Sequence, residues 1–186
     1  MTDRLLLYEQ GLTEVPADTW QHTDVRVLDL GHNKITFIPD AIGDLVQLDF
    51  LYLHDNELAT VPDTLRNLRK LRYLNISENH LTSFPIIESL IELRATDNEI
   101  AALPEEIGAL ANLRELHLRN NKLTTLPHSI GELQSLRQLD LRGNPLTELP
   151  ESLLVLPRLE KVDVRWVTID DPVLDQLEAR GCLVYR

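Results

Sequence analysis

The sequence predicts an α/β solenoid, a curved horseshoe with a parallel sheet on its concave face and short helical or irregular segments on its convex face. One observation is a phrase, Leu-x-Leu-x-x-Asn-x-Leu, that is repeated along most of the chain and is seen most regularly in residues 116–123. The other is its spacing: the asparagines at positions 33, 56, 79, 98, 121 and 144 are separated by 23, 23, 19, 23 and 23 residues. A fixed period of this length indicates a stack of repeats.

The phrase begins with a short predicted strand, because its two leucines alternate with other residue types. Between Glu115 and Arg119, Leu116 and Leu118 face inward, and the intervening side chains face outward on the sheet. The asparagine that follows turns the chain inside the solenoid, where its amide can pair with buried backbone groups. We therefore predict that the six asparagines have a structural role.

A second phrase, Leu-Pro-x-x-Ile-Gly-x-Leu, lies between the copies of the first and is typified by residues 126–133. Its proline ends the extended segment and begins the convex one, and Ile130 and Leu133 return to the core. In the fourth copy the corresponding segment, Phe84 to Leu90, is four residues shorter than in its neighbours. It has no room for a helical turn, so we predict a thin convex side at this repeat.

Both ends of the chain depart from the repeat pattern. We predict a single domain over residues 1–186, with these ends as its terminal parts. Gln10 stands where the first asparagine belongs. Near the other end, Asp171 is a predicted helix N-cap, Pro172 suits the first helical position, and Gly181 suits the helix stop. The predicted parts are a degenerate first repeat at 4–24, regular repeats at 25–158 with the fourth shortened, and a last strand with a helical cap at 159–186.

The in-frame copies, with proline and asparagine at fixed offsets, resemble those of leucine-rich-repeat proteins over about residues 4–170. The Leu-Pro-x-x-Ile-Gly-x-Leu phrase most resembles the 23-residue type found in plant intracellular Ras-group-related proteins and in similar bacterial cytosolic proteins. The resemblance implies the horseshoe fold. It implies no particular partner, because this architecture carries many different functions.

Composition limits the classes of partner and compartment. The net charge of −12 disfavours nucleic acid and anionic membrane as partners. One cysteine, Cys182, excludes internal disulfides and favours a buried packing role for that side chain. The opening residues, Met1 to Arg4, pass directly into a repeat, and the sequence has no apolar run of about 18 residues. We therefore expect a cytoplasmic protein without a cleaved signal peptide.

Catalytic and cofactor signatures are missing from the sequence. It contains no glycine-rich phosphate loop, His-Glu-x-x-His, Cys-x-x-Cys or Gly-x-Ser-x-Gly motif. The nearest constellation is an outward column of His117, Asp140 and Asp163, which could bind a metal or serve a hydrolase that uses His117 with Asp140. Arg119, Arg142 and Arg165 lie two residues further along on the same face, and charge pairing across rungs accounts for the acids more simply. We predict no enzyme activity, metal or cofactor.

The outward columns of the sheet are the informative residues, because the scaffold does not require their identity. They divide the concave face into an apolar, aromatic N-terminal half and a charged C-terminal half. Clustered exposed aromatics are typical of binding surfaces. The alternative is that the rings only cover the sheet and pack on one another. The predicted partner-binding residues are Val27, Phe50, Tyr52, His54, Tyr73, Arg94, His117, Arg119, Asp140, Arg142 and Arg165.

The favoured function is a non-enzymatic protein-protein interaction module that binds an unidentified protein or peptide through its concave face. Arg119, Arg142 and Arg165, the arginine ladder, would pair with carboxylates or phosphates of the partner, with Trp166 beside them. The alternative function is a secreted bacterial effector or signalling regulator that uses the same surface. Because the first repeat lacks an obvious cap, we expect a monomer or a weak dimer through the N-terminal strand edge.

Overall fold

The computed structural model describes residues 3–186 as one sheet of nine parallel strands, arranged in chain order. Neighbouring strands pair so that equivalent residues of successive repeats align, as Phe50 does with Val27 on one side and Tyr73 on the other. The predicted α/β solenoid is confirmed. The strands are β1 (Arg4–Leu6), β2 (Val27–Asp29), β3 (Phe50–Tyr52), β4 (Tyr73–Asn75), β5 (Glu92–Arg94), β6 (Glu115–His117), β7 (Gln138–Asp140), β8 (Lys161–Asp163) and β9 (Leu183–Tyr185).

Short 3-10 helices form the convex side, and each begins directly after a proline. Proline fixes its own φ and has no N–H to leave unpaired, so it ends the extended segment at no hydrogen-bonding cost. The chain between β4 and β5 is entirely described and contains no helix, which confirms the thin convex side of the fourth repeat. The helices are Ala17–Gln21, Asp40–Asp44, Asp63–Asn67, Glu105–Ala109, His128–Glu132 and Glu151–Val155.

The core is a continuous ribbon of leucine and isoleucine between the sheet and the convex helices. The middle residue of a regular strand, such as Leu51 in β3 or Leu116 in β6, is fully buried. Its neighbours on the same strand face the other side of the sheet, as Glu115 and His117 do in β6. The inward and outward assignments made from the sequence are therefore correct for the regular strands.

The asparagines form a buried ladder of side-chain hydrogen bonds along the turns. Asn33 shows the pattern: its Nδ2 donates to the carbonyls of Leu7 and Leu30 at 2.9 Å each, and its Oδ1 accepts from the N–H groups of Gln10 and Leu12 at 3.0 Å each. The amide of one repeat thus pairs with backbone groups of its own repeat and of the preceding one. The predicted structural role of these residues is confirmed.

The C-terminal end contains a helix and a further strand. Helix α1 (Pro172–Ala179) has Asp171 as its N-cap, whose Oδ1 accepts from the N–H of Val173 at 2.9 Å. After it, β9 extends the sheet, with Val184 aligned to Val162 of β8. The sequence analysis predicted the helix but placed residues 182–185 in the cap and took β8 as the last strand. That part was wrong, because residues 182–185 carry none of the repeat motif that marks the other strands.

The N-terminal end of the sheet is the β1 edge. The side chains of Leu6 and Tyr8 there are about half exposed. At the other edge, Leu183 and Tyr185 of β9 are also exposed. Self-association through the N-terminal edge stays a prediction.

Candidate functional site

The outward side chains of β2, β3 and β4 bring three aromatic rings together on the concave face. Phe50, Tyr52 and Tyr73, here called the aromatic cluster, lie with ring centroids 6.2 Å apart for Phe50 and Tyr73 and 5.0 Å apart for the two tyrosines. Phe50 is 39% exposed, and the tyrosines are half-buried. Val27 is the register neighbour of Phe50 and extends the apolar surface toward β2.

The tyrosines of the aromatic cluster keep their hydroxyl protons. Burial raises the pKa of both Tyr52 and Tyr73 above the ordinary value for the phenol. Each ring therefore combines an apolar face with a neutral hydroxyl group that can donate or accept a hydrogen bond. This surface suits a partner with apolar side chains and with backbone N–H and C=O groups that are not already hydrogen-bonded.

Two histidines lie beside the aromatic cluster. The His54 ring is 6.2 Å from the Tyr52 ring, and its Nε2 lies 3.2 Å from Nε2 of His32. The Asp55 carboxylate accepts a hydrogen bond from Nδ1 of His32 at 2.6 Å, which raises the pKa of His32. Burial, followed by the nearby His32, lowers the pKa of His54. The sequence analysis named His54 and missed His32.

The arginine ladder is already paired with acids of this chain. Arg142 forms two hydrogen bonds with Asp140, at 2.9 and 2.6 Å, and Arg165 forms two with Asp163, at 2.9 and 2.7 Å. Charge pairing across rungs was expected, but these bonds join residues two apart within one repeat, the aspartate at the end of the strand and the arginine after it. Pairing across rungs does occur between Arg142 and Asp163 at 3.6 Å, and between Arg119 and Asp97 at 2.7 Å.

The paired arginines cover the acids so well that Asp140 and Asp163 are buried on an otherwise open face. Burial disfavours the charged form of Asp163, but the hydrogen bonds from Arg165 and the charges of Arg142 and Arg165 outweigh it, and the pKa of Asp163 lies below its ordinary value. Trp166 lies beside the ladder as expected, with the Arg142 guanidinium 5.7 Å from its ring centroid. The C-terminal half therefore presents bonded ion pairs.

The predicted column of His117, Asp140 and Asp163 does not assemble into one site. Their Cα positions align, but both aspartates are bonded to arginines, and Nε2 of His117 lies 3.2 Å from the Glu115 carboxylate. His117, Glu115 and Glu92 instead place three potential metal ligands within 4.8 Å of one another. Glu92 is also bonded to Arg94 at 2.6 Å. The cation of Arg94 therefore neutralises part of this cluster.

Two depressions lie on the convex side at the short fourth repeat. One, of about 530 Å³, is open to solvent and is lined by residues that include Phe84, Pro85 and Leu103. It arises because the missing helical turn leaves a gap between the neighbouring convex helices. A partner could also dock in this notch.

Three family models of leucine-rich repeats match the chain. They are described as "Leucine-rich repeat region" over residues 102–179, "Leucine rich repeat" over residues 3–58 and "Leucine Rich Repeat" over residues 70–93. With nine parallel strands, buried asparagines and proline-led 3-10 helices, these matches define the class: the chain is a leucine-rich-repeat protein. This fold is a scaffold for interactions between proteins and is typically non-enzymatic.

Solved structures of the same fold come from a bacterium and from plants. A leucine-rich-repeat protein of Leptospira interrogans is 34% identical, with a TM-score of 0.85, over 94% of this chain and 46% of that one. The plant peptide hormone receptor RGFR1 in complex with RGF2 is 27% identical, with a TM-score of 0.82, over 98% of this chain and 32% of that one.

A third similar structure is the ectodomain of the receptor kinase GASSHO1/SCHENGEN3 of Arabidopsis thaliana in complex with CASPARIAN STRIP INTEGRITY FACTOR 2. It is 28% identical, with a TM-score of 0.80, over 95% of this chain and 23% of that one. The present chain thus spans less than half the length of each of the three proteins. A search of curated protein sequences finds no match.

Among the described residues, no helix is long and apolar enough to cross a membrane. The cytoplasmic location, the bacterial origin and the single-domain organisation stay predictions. All the residues predicted to bind a partner lie on the outward side of the strands or directly after them. In the N-terminal half the aromatic rings contact one another, and in the C-terminal half arginines form ion pairs with aspartates.

Proposed function

We propose that this chain is a non-enzymatic interaction module that binds a protein or peptide through the aromatic cluster on its concave face. The observation that carries the proposal is that Phe50, Tyr52 and Tyr73 stand together on an open sheet whose inward leucines already fill the core. Large aromatic side chains at the centre of a contact surface dominate binding energies. Mutual packing covers part of each ring but leaves Phe50 39% exposed.

An extended peptide is the partner that fits this surface best. The cluster follows the register of three neighbouring strands, so a chain lying across the strands would meet one rung after another about 4.8 Å apart. Two of the similar structures are plant receptors in complexes, and one of them is described as a peptide hormone receptor. They support a peptide as the class of partner for this chain.

The arginine ladder takes a smaller part in the proposed binding than its charges suggest. Each guanidinium already donates to a carboxylate of this chain, so a partner carboxylate would have to compete with a bonded ion pair. We therefore propose that the aromatic cluster supplies most of the affinity and that the arginine ladder forms the polar rim of the binding surface. The proposed setting is the bacterial cytoplasm, supported by the single cysteine and by the similarity to the Leptospira protein.

The test is selection of peptides from a displayed random library, followed by titration of the selected peptide into purified variants. The Phe50→Ala/Tyr73→Ala variant should bind on the order of 30-fold more weakly, or lose about 2 kcal/mol, because it removes two of the three rings. The matched control is Phe37→Ala, which removes a ring that is 65% exposed outside the sheet. The control should bind like wild type.

Thermal melts of the two variants would show that both remain folded. If the double variant binds the selected peptides as tightly as wild type does, the aromatic cluster is not the binding surface. Selection that yields no binder against wild type, with a working peptide receptor selected in parallel, would also count against the proposal.

A further inference from the structure

Two imidazole nitrogens are held close together at the edge of the concave face. The Nε2 atoms of His32 and His54 are 3.2 Å apart, and the two rings meet edge to face at 81°. Two nitrogens bound to one tetrahedral zinc ion, at about 2.05 Å each, lie about 3.3 Å from each other. The separation in this structure therefore matches that of two ligands on a single metal ion.

His32 is oriented by a carboxylate, as metal-binding histidines usually are. Nδ1 of His32 donates to Asp55 at 2.6 Å, which leaves Nε2 with a lone pair directed away from Asp55. A carboxylate behind a histidine fixes its tautomer and raises its basicity toward a metal. His32 and Asp55 occupy the same position of successive repeats, so the repeat itself sets their distance.

His54 is positioned by a glycine on the preceding rung. A Cβ atom added at Gly31 would lie 2.3 Å from Cε1 of His54, so the ring can occupy this place only because Gly31 has no side chain. Nδ1 of His54 is buried and has no hydrogen-bond partner among the described residues. The Nε2 atom of His54 faces His32. It is therefore the nitrogen of this ring that has a partner.

Acidic side chains surround the two histidines. A pocket of about 350 Å³ is lined by Tyr8, Glu9, Asp29 and both imidazoles. Oδ1 of Asp29 accepts from the N–H of Gly31 at 3.0 Å, which holds this carboxylate in the pocket wall. Negative charge around the imidazoles favours a divalent cation.

We propose that His32 and His54 bind a first-row transition-metal dication of the zinc class through their Nε2 atoms, with Asp55 as the positioning residue. Imidazole suits zinc, copper and nickel, and water completes the coordination. The site is independent of the proposed peptide binding. It lies beside the aromatic cluster, since the His54 ring is 6.2 Å from that of Tyr52.

The other cluster of potential ligands on this face is less suited to a cation. Glu92 of the Glu92, Glu115 and His117 group is bonded to the Arg94 guanidinium, whose charge repels a metal ion. Nε2 of His117 is already taken up by Glu115 at 3.2 Å. We therefore place the metal at the histidine pair.

The experiment is calorimetric titration of Zn²⁺ into the full chain. Wild type should bind one equivalent, and His32→Ala/His54→Ala should bind at least about 100-fold more weakly. Asp55→Asn should weaken binding by about 10- to 100-fold, the usual effect of removing a carboxylate behind a ligating histidine. His22→Ala, which removes an exposed imidazole elsewhere, and His117→Ala should both bind like wild type.

Thermal melts with and without Zn²⁺ give a second readout, because a ligand that binds only the folded state raises the melting temperature. Wild type and His22→Ala should be stabilised by Zn²⁺, whereas the double histidine variant should fold but not respond. The proposal is overturned if wild type shows no saturable binding, if the double variant binds as tightly as wild type, or if His117→Ala is the variant that loses the metal.

Discussion

At the scale of single residues, the asparagine ladder explains how such short turns can be buried. Nδ2 of Asn121 donates to the carbonyls of Ala95 and Leu118 at 2.8 and 3.0 Å, and its Oδ1 accepts from the N–H of Ile100 at 3.1 Å. Without the amide, the Ala95 carbonyl and the Ile100 N–H would lose this partner, whereas the Leu118 carbonyl would still accept from Nδ2 of Asn144 at 2.9 Å. Each asparagine thus joins two successive repeats.

Asn121→Ala should destabilise the protein by about 1–3 kcal/mol for each backbone group left unpaired, because an unsatisfied buried group keeps its desolvation cost. Urea unfolding measures the change in the free energy of unfolding. Asn112→Ala is the matched control, since its exposed amide makes one long contact of 3.4 Å to Glu88. Equal stabilities for the two variants would remove the structural argument for the ladder.

Asp163 should make the protein sensitive to acid. Its folded pKa lies below the ordinary value of about 3.9, so its stabilising effect is present above that pH and is lost as the pH falls through the folded pKa. At neutral pH, Asp163→Asn should be less stable than wild type by about 1–3 kcal/mol.

The stability difference between wild type and Asp163→Asn should narrow as the pH is lowered from about 5 to about 2, measured by urea unfolding at each pH. A difference that stays constant over this range would show that the charge of Asp163 is not what the arginines stabilise.

The sequence predicted the direction of most side chains but not their partners. Leu116 inward and His117 outward follow from a period of two, which backbone geometry enforces. The bonds from Arg142 to Asp140 depend on side-chain rotamers, which leave no trace in a periodic pattern. His32 was missed for a related reason. The available signal was Gly31, which directly precedes His32 and aligns with His54 one repeat on.

At the scale of elements, the proline-led 3-10 helices and the gap in the fourth repeat were predictable because segment length limits what the convex side can hold. Strand β9 was not predictable, since it follows a helix and lacks the repeat motif that marks the other strands. It adds a ninth rung by aligning Val184 with Val162, and Cys182 is buried just before it. Burial raises the pKa of the Cys182 thiol, which agrees with a packing role.

The two open edges of the sheet should differ in self-association. We expect a monomer or a weak dimer through β1, because an unpaired strand edge with the exposed Leu6 can accept a second chain. Leu6→Lys should abolish any dimer seen by light scattering at high protein concentration.

Leu183→Lys is the control for this prediction, because it places the same charge on the β9 edge, where Leu183 is 61% exposed. A dimer that survives Leu6→Lys but is lost in Leu183→Lys would assign the contact to the C-terminal edge. A tight dimer insensitive to both would place it away from the strand edges.

At the scale of the whole molecule, each repeat contributes outward side chains to one continuous sheet. Function therefore depends on which side chains lie next to each other on neighbouring strands. The fold was predictable because the repeats agree with one another in period, turns and core. The candidate site was less predictable, because the repeat scaffold stays the same whichever residues occupy the outward positions. The chain places an aromatic cluster in one half and bonded Asp–Arg pairs in the other.

The central claim is that a partner binds the N-terminal half of the concave face. A library-selected peptide carrying a photoreactive group would test it most directly, with the crosslinked residues mapped by mass spectrometry. We predict crosslinks within residues 27–29, 50–52 and 73–75, and their loss in Phe50→Ala/Tyr73→Ala. Crosslinks confined to the convex notch around residues 83–91, unchanged in that variant, would contradict the claim.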